Sequence, residues 1–295
     1  MQILGFPDSE QPAQALARHL GCDYGCVELH RFPDGESRLT LPSSLSSSGT
    51  LIFRSLDHPN DKLVELYMLS RDLRERDIPR LGLIAPYLCY MRQDTAFHEG
   101  ELISQQHIGH LLAQCFDDLI TVDPHLHRTS TLHEAVPVKR ALSLHPTTLM
   151  AEFLKTWPDA VLIGPDSESA QWVEAIARHS GHEHGVANKQ RLGDRTVRIE
   201  LPSINVKGRQ LVLVDDMIST GHTLAQAAGA LLERGADRVD CLVTHALLDR
   251  DAESMLHSGG IDKLWSTDAI SHPSNVIALT SLIASAVSDL AESYR

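Results

Sequence analysis

Five short runs of aliphatic and β-branched residues, at 81–86, 119–123, 161–166, 211–216 and 239–245, each close on a turn or polar residue and lead into stretches with helical periodicity. Strands that are apolar along their whole length, rather than at alternate positions, are buried on both faces, the condition of a parallel sheet covered by helices on each side. The sequence therefore predicts an α/β chain. Between residues 60 and 74, Leu63, Leu66, Tyr67, Ser70 and Leu73 fall at helical spacing. Asn60 is placed to cap the first turn, and Arg71, Arg74 and Arg76 lie toward the end, so this is expected to be a surface helix with one buried stripe. The serine-rich stretch 42–49 predicts a surface loop.

With 295 residues, 42% of them hydrophobic, the chain is long enough for two domains of ordinary size. A seam is expected at His145-Pro146, because proline disfavours helix in the residue before it and a new periodic stretch begins at Thr147. This gives domains at 1–144 and 145–295, with the helical stretch from Thr280 a candidate to pack back on the first. Residues 117–125 and 237–245 echo one another in pattern, as two related α/β halves would. The formal net charge of −13 argues against the basic face that nucleic acid or an anionic membrane requires. No apolar run approaches the ~20 residues of a membrane span, and the first residues lack a basic stretch followed by a long apolar one. Five cysteines without paired CxxC motifs suit reduced thiols, and the expectation is a cytoplasmic protein.

Residues 211–224 combine an apolar strand, the adjacent acids Asp215 and Asp216, a small hydroxyl-rich turn and a helix reaching about Arg234. Backbone N–H groups at a helix start favour a phosphate dianion, and Gly221 allows close approach. Two carboxylates just before that point suit the vicinal hydroxyls of a sugar, or a metal bound to them. Asp215, Asp216, Ser219, Thr220, Gly221, His222 and Thr223 thus read as a phosphorylated-pentose site.

This segment resembles the phosphoribosyl diphosphate signature of type I phosphoribosyltransferases, and three further segments resemble ribose-phosphate diphosphokinase (phosphoribosyl diphosphate synthetase). The first runs from Arg31 to Glu36, where the Phe32 face can stack on a purine and Asp34, Gly35 and Glu36 complete an ATP-binding turn. Arg92, Gln93 and Asp94 match the family's ATP-binding segment, Arg92 being able to fork onto a phosphate. Asp123-Pro124-His125 matches an Asp-x-His whose histidine is a magnesium ligand. Imidazole is an unusual partner for a hard cation, so it is the resemblance that assigns His125, with Asp123 and Asp166, to Mg²⁺. Finally, Asn188-Lys189-Gln190-Arg191 resembles the mobile catalytic loop, with Lys189 and Arg191 placed to offset charge on a transferring diphosphoryl group.

The resemblance spans nearly the whole chain. It implies two phosphoribosyltransferase-like (Rossmann-like) domains, each a mostly parallel sheet flanked by helices, an ATP site in the first and a ribose 5-phosphate site in the second. The implied reaction is attack of the ribose 5-phosphate 1-hydroxyl on the β-phosphorus of Mg-ATP, releasing AMP, in a homo-oligomer that is a dimer or a hexamer. Residues 167–172 depart from the family's small glycine-rich turn, and Glu168 would repel a diphosphate if it pointed inward. His222 stands where a small residue is usual. Residues 95–104 lack the basic cluster of phosphate-activated members, which implies an unregulated form. Two other functions stay open: a non-catalytic regulatory relative, which the altered 167–172 turn favours, and a phosphoribosyltransferase, which the Arg92-Gln93 segment opposes.

Overall fold

The computed structural model describes residues 1–191, 197–200 and 203–294, with 188–191 and 197–200 described by their backbone. The chain forms two units, Met1–Leu144 with Leu279–Arg295, and His145–Ala278.

The first unit runs β1 (Gln2–Gly5), α1 (Glu10–Leu20), β2 (Asp23–Cys26), a hairpin of β3 (Glu28–Arg31) and β4 (Ser37–Thr40), β5 (Thr50–Phe53), α2 (Pro59–Glu75), β6 (Leu81–Ala85), α3 (Ser104–Cys115), β7 (Asp118–Val122), α4 (Leu132–Ala135) and β8 (Arg140–Leu144). Six strands form a parallel sheet in the order β2-β1-β5-β6-β7-β8. Every residue of β5, β6 and β7 is buried, as strands sandwiched between helical layers must be.

The second unit runs α5 (Thr147–Leu154), β9 (Val161–Gly164), α6 (Ala170–Ser180), β10 (His184–Val186), a hairpin of β11 (Asn188–Arg191) and β12 (Val197–Glu200), β13 (Gln210–Ile218), α7 (His222–Glu233), β14 (Arg238–Ala246), α8 (Arg250–Ser258), β15 (Ile261–Thr267) and β16 (Asn275–Ile277). Its parallel sheet has the order β10-β9-β13-β14-β15-β16. Alternate residues of β13 enter opposite cores: Leu211 and Leu213 join Leu224, Leu231 and Leu256, while Val212 and Val214 join Met150, Val173 and Ile176. Both faces of the strand are therefore closed by helices.

The two sheets repeat one topology. Each begins with its second strand in space, crosses to the edge strand, makes an antiparallel hairpin and returns beside the first strand. The halves are related, but the echo between 117–125 and 237–245 joins strands that are not equivalent: β7 is fifth in its sheet and β14 fourth in its own. Their likeness is that of any two buried parallel strands that end in polar residues.

Two local expectations change, both in the helix over 60–74. The helix over 60–74 begins one turn-residue earlier, at Pro59, with His58 as its N-cap at φ 46° and no side-chain cap, so Asn60 is inside the first turn. Proline at the first helical position presets φ and has no N–H to satisfy, which moves the start ahead of Asn60. Tyr67 is exposed, and Glu65 and Leu69 take places in the buried face. The terminal helix α9 (Thr280–Leu290) packs on α1, and behind it Tyr294 is fully buried against Gly49 and Gly82. A Cβ at Gly82 would lie 2.2 Å from the Tyr294 hydroxyl, so the ring fits only because position 82 has no side chain. That hydroxyl donates to Asp118 Oδ2 at 2.6 Å, alongside the two hydrogen bonds from Arg80.

Candidate active site

In the second unit, β13 delivers Asp215 and Asp216 to the end of the sheet, and 219–221 turn the chain into α7. Gly221 is the N-cap at φ 74°, and a Cβ there would lie 3.0 Å from Leu256, so backbone conformation and packing both require glycine. No side chain caps α7, leaving its first-turn N–H groups directed out of the helix start between Ser219, Thr220 and Thr223. His222, the first helical residue, is exposed and leaves the turn open.

Asp215 is half-buried and Asp216 buried. Burial, the charge of Asp216 and that of Asp166 together push the Asp215 carboxyl well above the ordinary carboxylate range. Asp166 follows β9 and accepts at Oδ1 from the Glu168 and Ser169 N–H groups, at 3.0 and 3.3 Å, while Ser169 Oγ donates to the Asp166 carbonyl at 2.6 Å. The unusual 167–172 turn is thus folded onto Asp166, and Glu168 lies exposed.

The first unit shows the same corner in another charge state. Gly5 and Gly164 are matching strand ends, each accepting at its carbonyl an N–H from just beyond the edge strand, Val27 and Ala187, both at 2.8 Å. Gly5 pairs with Phe53, and Ile163, the residue before Gly164, with Leu213, so Arg54, one residue past Phe53, and Asp215, two past Leu213, are equivalent. Arg54 is completely buried, pairs with Glu65 at 2.7 Å and Asp8 at 3.2 Å, and lies 3.8 Å over the Phe6 ring. A resident cation thus faces the acid behind the first strand in one unit, and a second carboxylate does so in the other. Among the described residues no three His, Cys, Asp or Glu side chains form a metal cage. The acids around Asp215 fit a hard divalent ion that keeps water and substrate oxygens among its ligands, the usual habit of Mg²⁺.

Beside α2 the β3–β4 hairpin carries the exposed tip from Phe32 to Glu36. Within it, the Phe32 N–H donates to the Glu36 carbonyl at 2.8 Å, and the Glu36 N–H to Asp34 Oδ1 at 3.2 Å. Asp34, Gly35 and Glu36 line a cleft of about 490 Å³ with Asp61, Val64 and Met68.

Arg92, Gln93 and Asp94 lie in the irregular stretch after β6, and only Arg92 is exposed. Gln93 bonds through both ends of its amide, donating to the Leu102 carbonyl and accepting from the Ser104 N–H at 2.8 Å, which organises the start of α3. Asp94 accepts from the Arg128 N–H at 3.0 Å and from its guanidinium at 2.8 Å. Burial pushes the Asp94 carboxyl up, but those Arg128 bonds outweigh it and hold the group below its ordinary value. Asp123 follows β7, buried at φ 37°, and His125 beyond it is half-buried and edge-on to His127, ring centroids 4.0 Å apart.

Lys189 and Arg191 sit on β11, in register with Ile199 and Val197 of β12, while 192–196 between the strands lie outside the described residues, as do the side chains of Lys189 and Arg191. His125 belongs to the first unit and Asp166 to the second. Sequence reasoning missed Arg54, Glu65 and Arg128. The only signal for Glu65 was an acid at a core-facing position of an apolar helical stripe.

Residues 1–115 match the family model described as the N-terminal domain of ribose phosphate pyrophosphokinase, and residues 140–277 match the phosphoribosyl transferase domain. The ribose-phosphate pyrophosphokinase of Methanopyrus kandleri is 32% identical over 98% of this chain and 99% of its own. That of Saccharolobus solfataricus is 34% identical over 92% and 93%. The crystal structure of phosphoribosylpyrophosphate synthetase from Mycobacterium smegmatis superposes with a TM-score of 0.84 at 24% identity, covering 99% of each chain, and so shares the fold.

Proposed function

Because the chain belongs to the ribose-phosphate pyrophosphokinase family, we propose that it transfers the diphosphoryl group of Mg-ATP to the 1-hydroxyl of ribose 5-phosphate, giving 5-phosphoribosyl 1-diphosphate and AMP. The observation that carries this is the uncapped start of α7 with the Asp215–Asp216 pair behind it, a cradle for a phosphate and a sugar diol at once. The non-catalytic relative and the phosphoribosyltransferase are not favoured, since synthetase homologues match this chain from end to end.

In this reading the N–H groups and hydroxyls at 219–223 hold the 5-phosphate, and Asp215 and Asp216 hold the ribose hydroxyls. Phe32 stacks on the adenine, with Asp34 and Glu36 beside it at the cleft. Arg92 meets the triphosphate, while Gln93 and Asp94 keep its loop in place. Asp166 with the Asp215 cluster, and His125 with Asp123, are the groups that would hold Mg²⁺, whose charge offsets that of the phosphates. Lys189 and Arg191 stabilise charge on the diphosphoryl group in transit, and the reaction needs positioning rather than a covalent nucleophile. The five free thiols support a cytoplasmic enzyme. The exposed apolar side chains of Val64, Tyr67 and Met68 support a homo-oligomer, dimer or hexamer.

The test is AMP release from Mg-ATP by purified protein, with and without ribose 5-phosphate, using Lys189→Ala as the blank. Release that requires both the sugar phosphate and Lys189 is the expected result. Release independent of the sugar phosphate would replace this function with nucleotide hydrolysis.

A further inference from the structure

A carboxylate buried within a helical stripe of leucines is costly unless its charge is answered, and Glu65 of α2, with a side chain 1% exposed, is answered three times. Its Oε1 accepts from Ser37 Oγ at 2.6 Å and lies 3.3 Å from Arg31 Nη2, and its Oε2 lies 2.7 Å from Arg54 Nη2. Arg31 and Ser37 are the last residue of β3 and the first of β4, and they pair in register, so they close the hairpin beneath its tip. One buried oxygen therefore holds both legs of the turn that carries Phe32.

The hairpin needs such an anchor. Its two strands form a sheet of their own, and an isolated two-stranded ribbon is marginal in water. The tip is exposed from Phe32 to Glu36 and has few bonds within itself. Arg54, held by Asp8 as well, supplies the counter-charge to Glu65 in the interior. On Arg31, Asp61 takes the remaining contact, so the guanidinium bridges two acids of α2.

We infer that Glu65 is a positioning residue for the nucleobase subsite: through Ser37 and Arg31 it fixes where the Phe32 ring stands, and so sets the preference for a purine. This rests on the proposed stacking of adenine on Phe32, and the test separates the two. Steady-state rates are measured with ATP and with CTP as donor for Phe32→Ala, Glu65→Gln, Ser37→Ala and Arg31→Ala.

If the inference holds, Glu65→Gln raises KM for ATP about tenfold, kcat moves less than about twofold, and the ATP-over-CTP preference falls toward that of Phe32→Ala. Ser37→Ala and Arg31→Ala shift in the same direction by about threefold each. A role confined to folding would lower thermal stability without changing the donor preference, and that result overturns the inference. Should Glu65→Gln not fold, Ser37→Ala and Arg31→Ala, which leave the buried Arg54–Glu65 pair intact, decide the matter alone. An unchanged preference in Phe32→Ala would instead remove the stacking role on which the inference rests.

Discussion

Arg54 and Asp215 occupy the same position in the two sheets: Gly5 and Gly164 are matching strand ends, and Arg54 lies one residue beyond Phe53, the partner of Gly5, as Asp215 lies two beyond Leu213, the partner of Ile163. A buried cation stands at one and a crowded carboxylate at the other, so a single duplicated corner is electrostatically complete in one unit and demands a positive partner in the second.

That difference predicts opposite responses to substitution. Asp215→Asn relieves repulsion from Asp216 and Asp166, so the protein without Mg²⁺ should melt about 2–4 °C higher while kcat/KM for ribose 5-phosphate falls by about 10²-fold. Arg54→Met takes from buried Glu65 its fully buried counter-charge, leaving only Ser37 and Arg31 at Oε1, and unfolding in urea should show a loss of about 3–5 kcal/mol. Equal destabilisation by both would show that the corner's charges do not differ in role.

Lys189→Ala should lower kcat by about 10²–10³-fold with little change in ATP affinity, because a cation meeting charge in the transition state contributes to the chemical step more than to binding. Single-turnover AMP formation beside equilibrium nucleotide binding distinguishes the two.

A pH dependence follows from Asp117. Burial pushes its carboxyl up, but Lys139, the Leu81 N–H and Arg74 outweigh burial and hold it down at about 2. A depressed carboxylate contributes stability that is present above the unfolded value near ~4 and is lost as pH falls through the folded one. Asp117→Asn should thus cost about 1–2 kcal/mol at pH 7, and its cost should shrink between pH 4 and about 2. Denaturant melts across that range provide the check, and a cost constant with pH would remove the linkage.

Activity should not depend on inorganic phosphate. The segment that would hold a regulatory anion is organised by an acid: Glu101 accepts from the Phe97 and His98 N–H groups at 2.7 and 3.2 Å and pairs with the His98 ring. Initial rates from zero to millimolar phosphate should be flat, and steep activation would mean that the cation set lies elsewhere.

What the sequence disclosed was whatever depends on near neighbours or on burial from both sides. The central strands were visible because Leu81, Val161 and Leu211 begin runs with no polar face. The strand–turn–helix corner at 211–224 was visible because its acids, turn and helix are contiguous. Hidden were the pairings across distance: Glu65 with Ser37, 28 positions away, and Arg128 with Asp94, 34 away. The helix start at His58 was hidden for another reason, since a left-handed residue before proline carries no side-chain cap to recognise.

The bond from Tyr294 to Asp118 joins residues 176 positions apart and lies wholly within the first unit. On a ribosome, which emits the chain from its beginning, this unit must wait with the slot between Gly49 and Gly82 unfilled while all of the second unit is made. The domain that starts first is therefore the last to be sealed, and any chain cut short before residue 294 carries its defect in the half already synthesised.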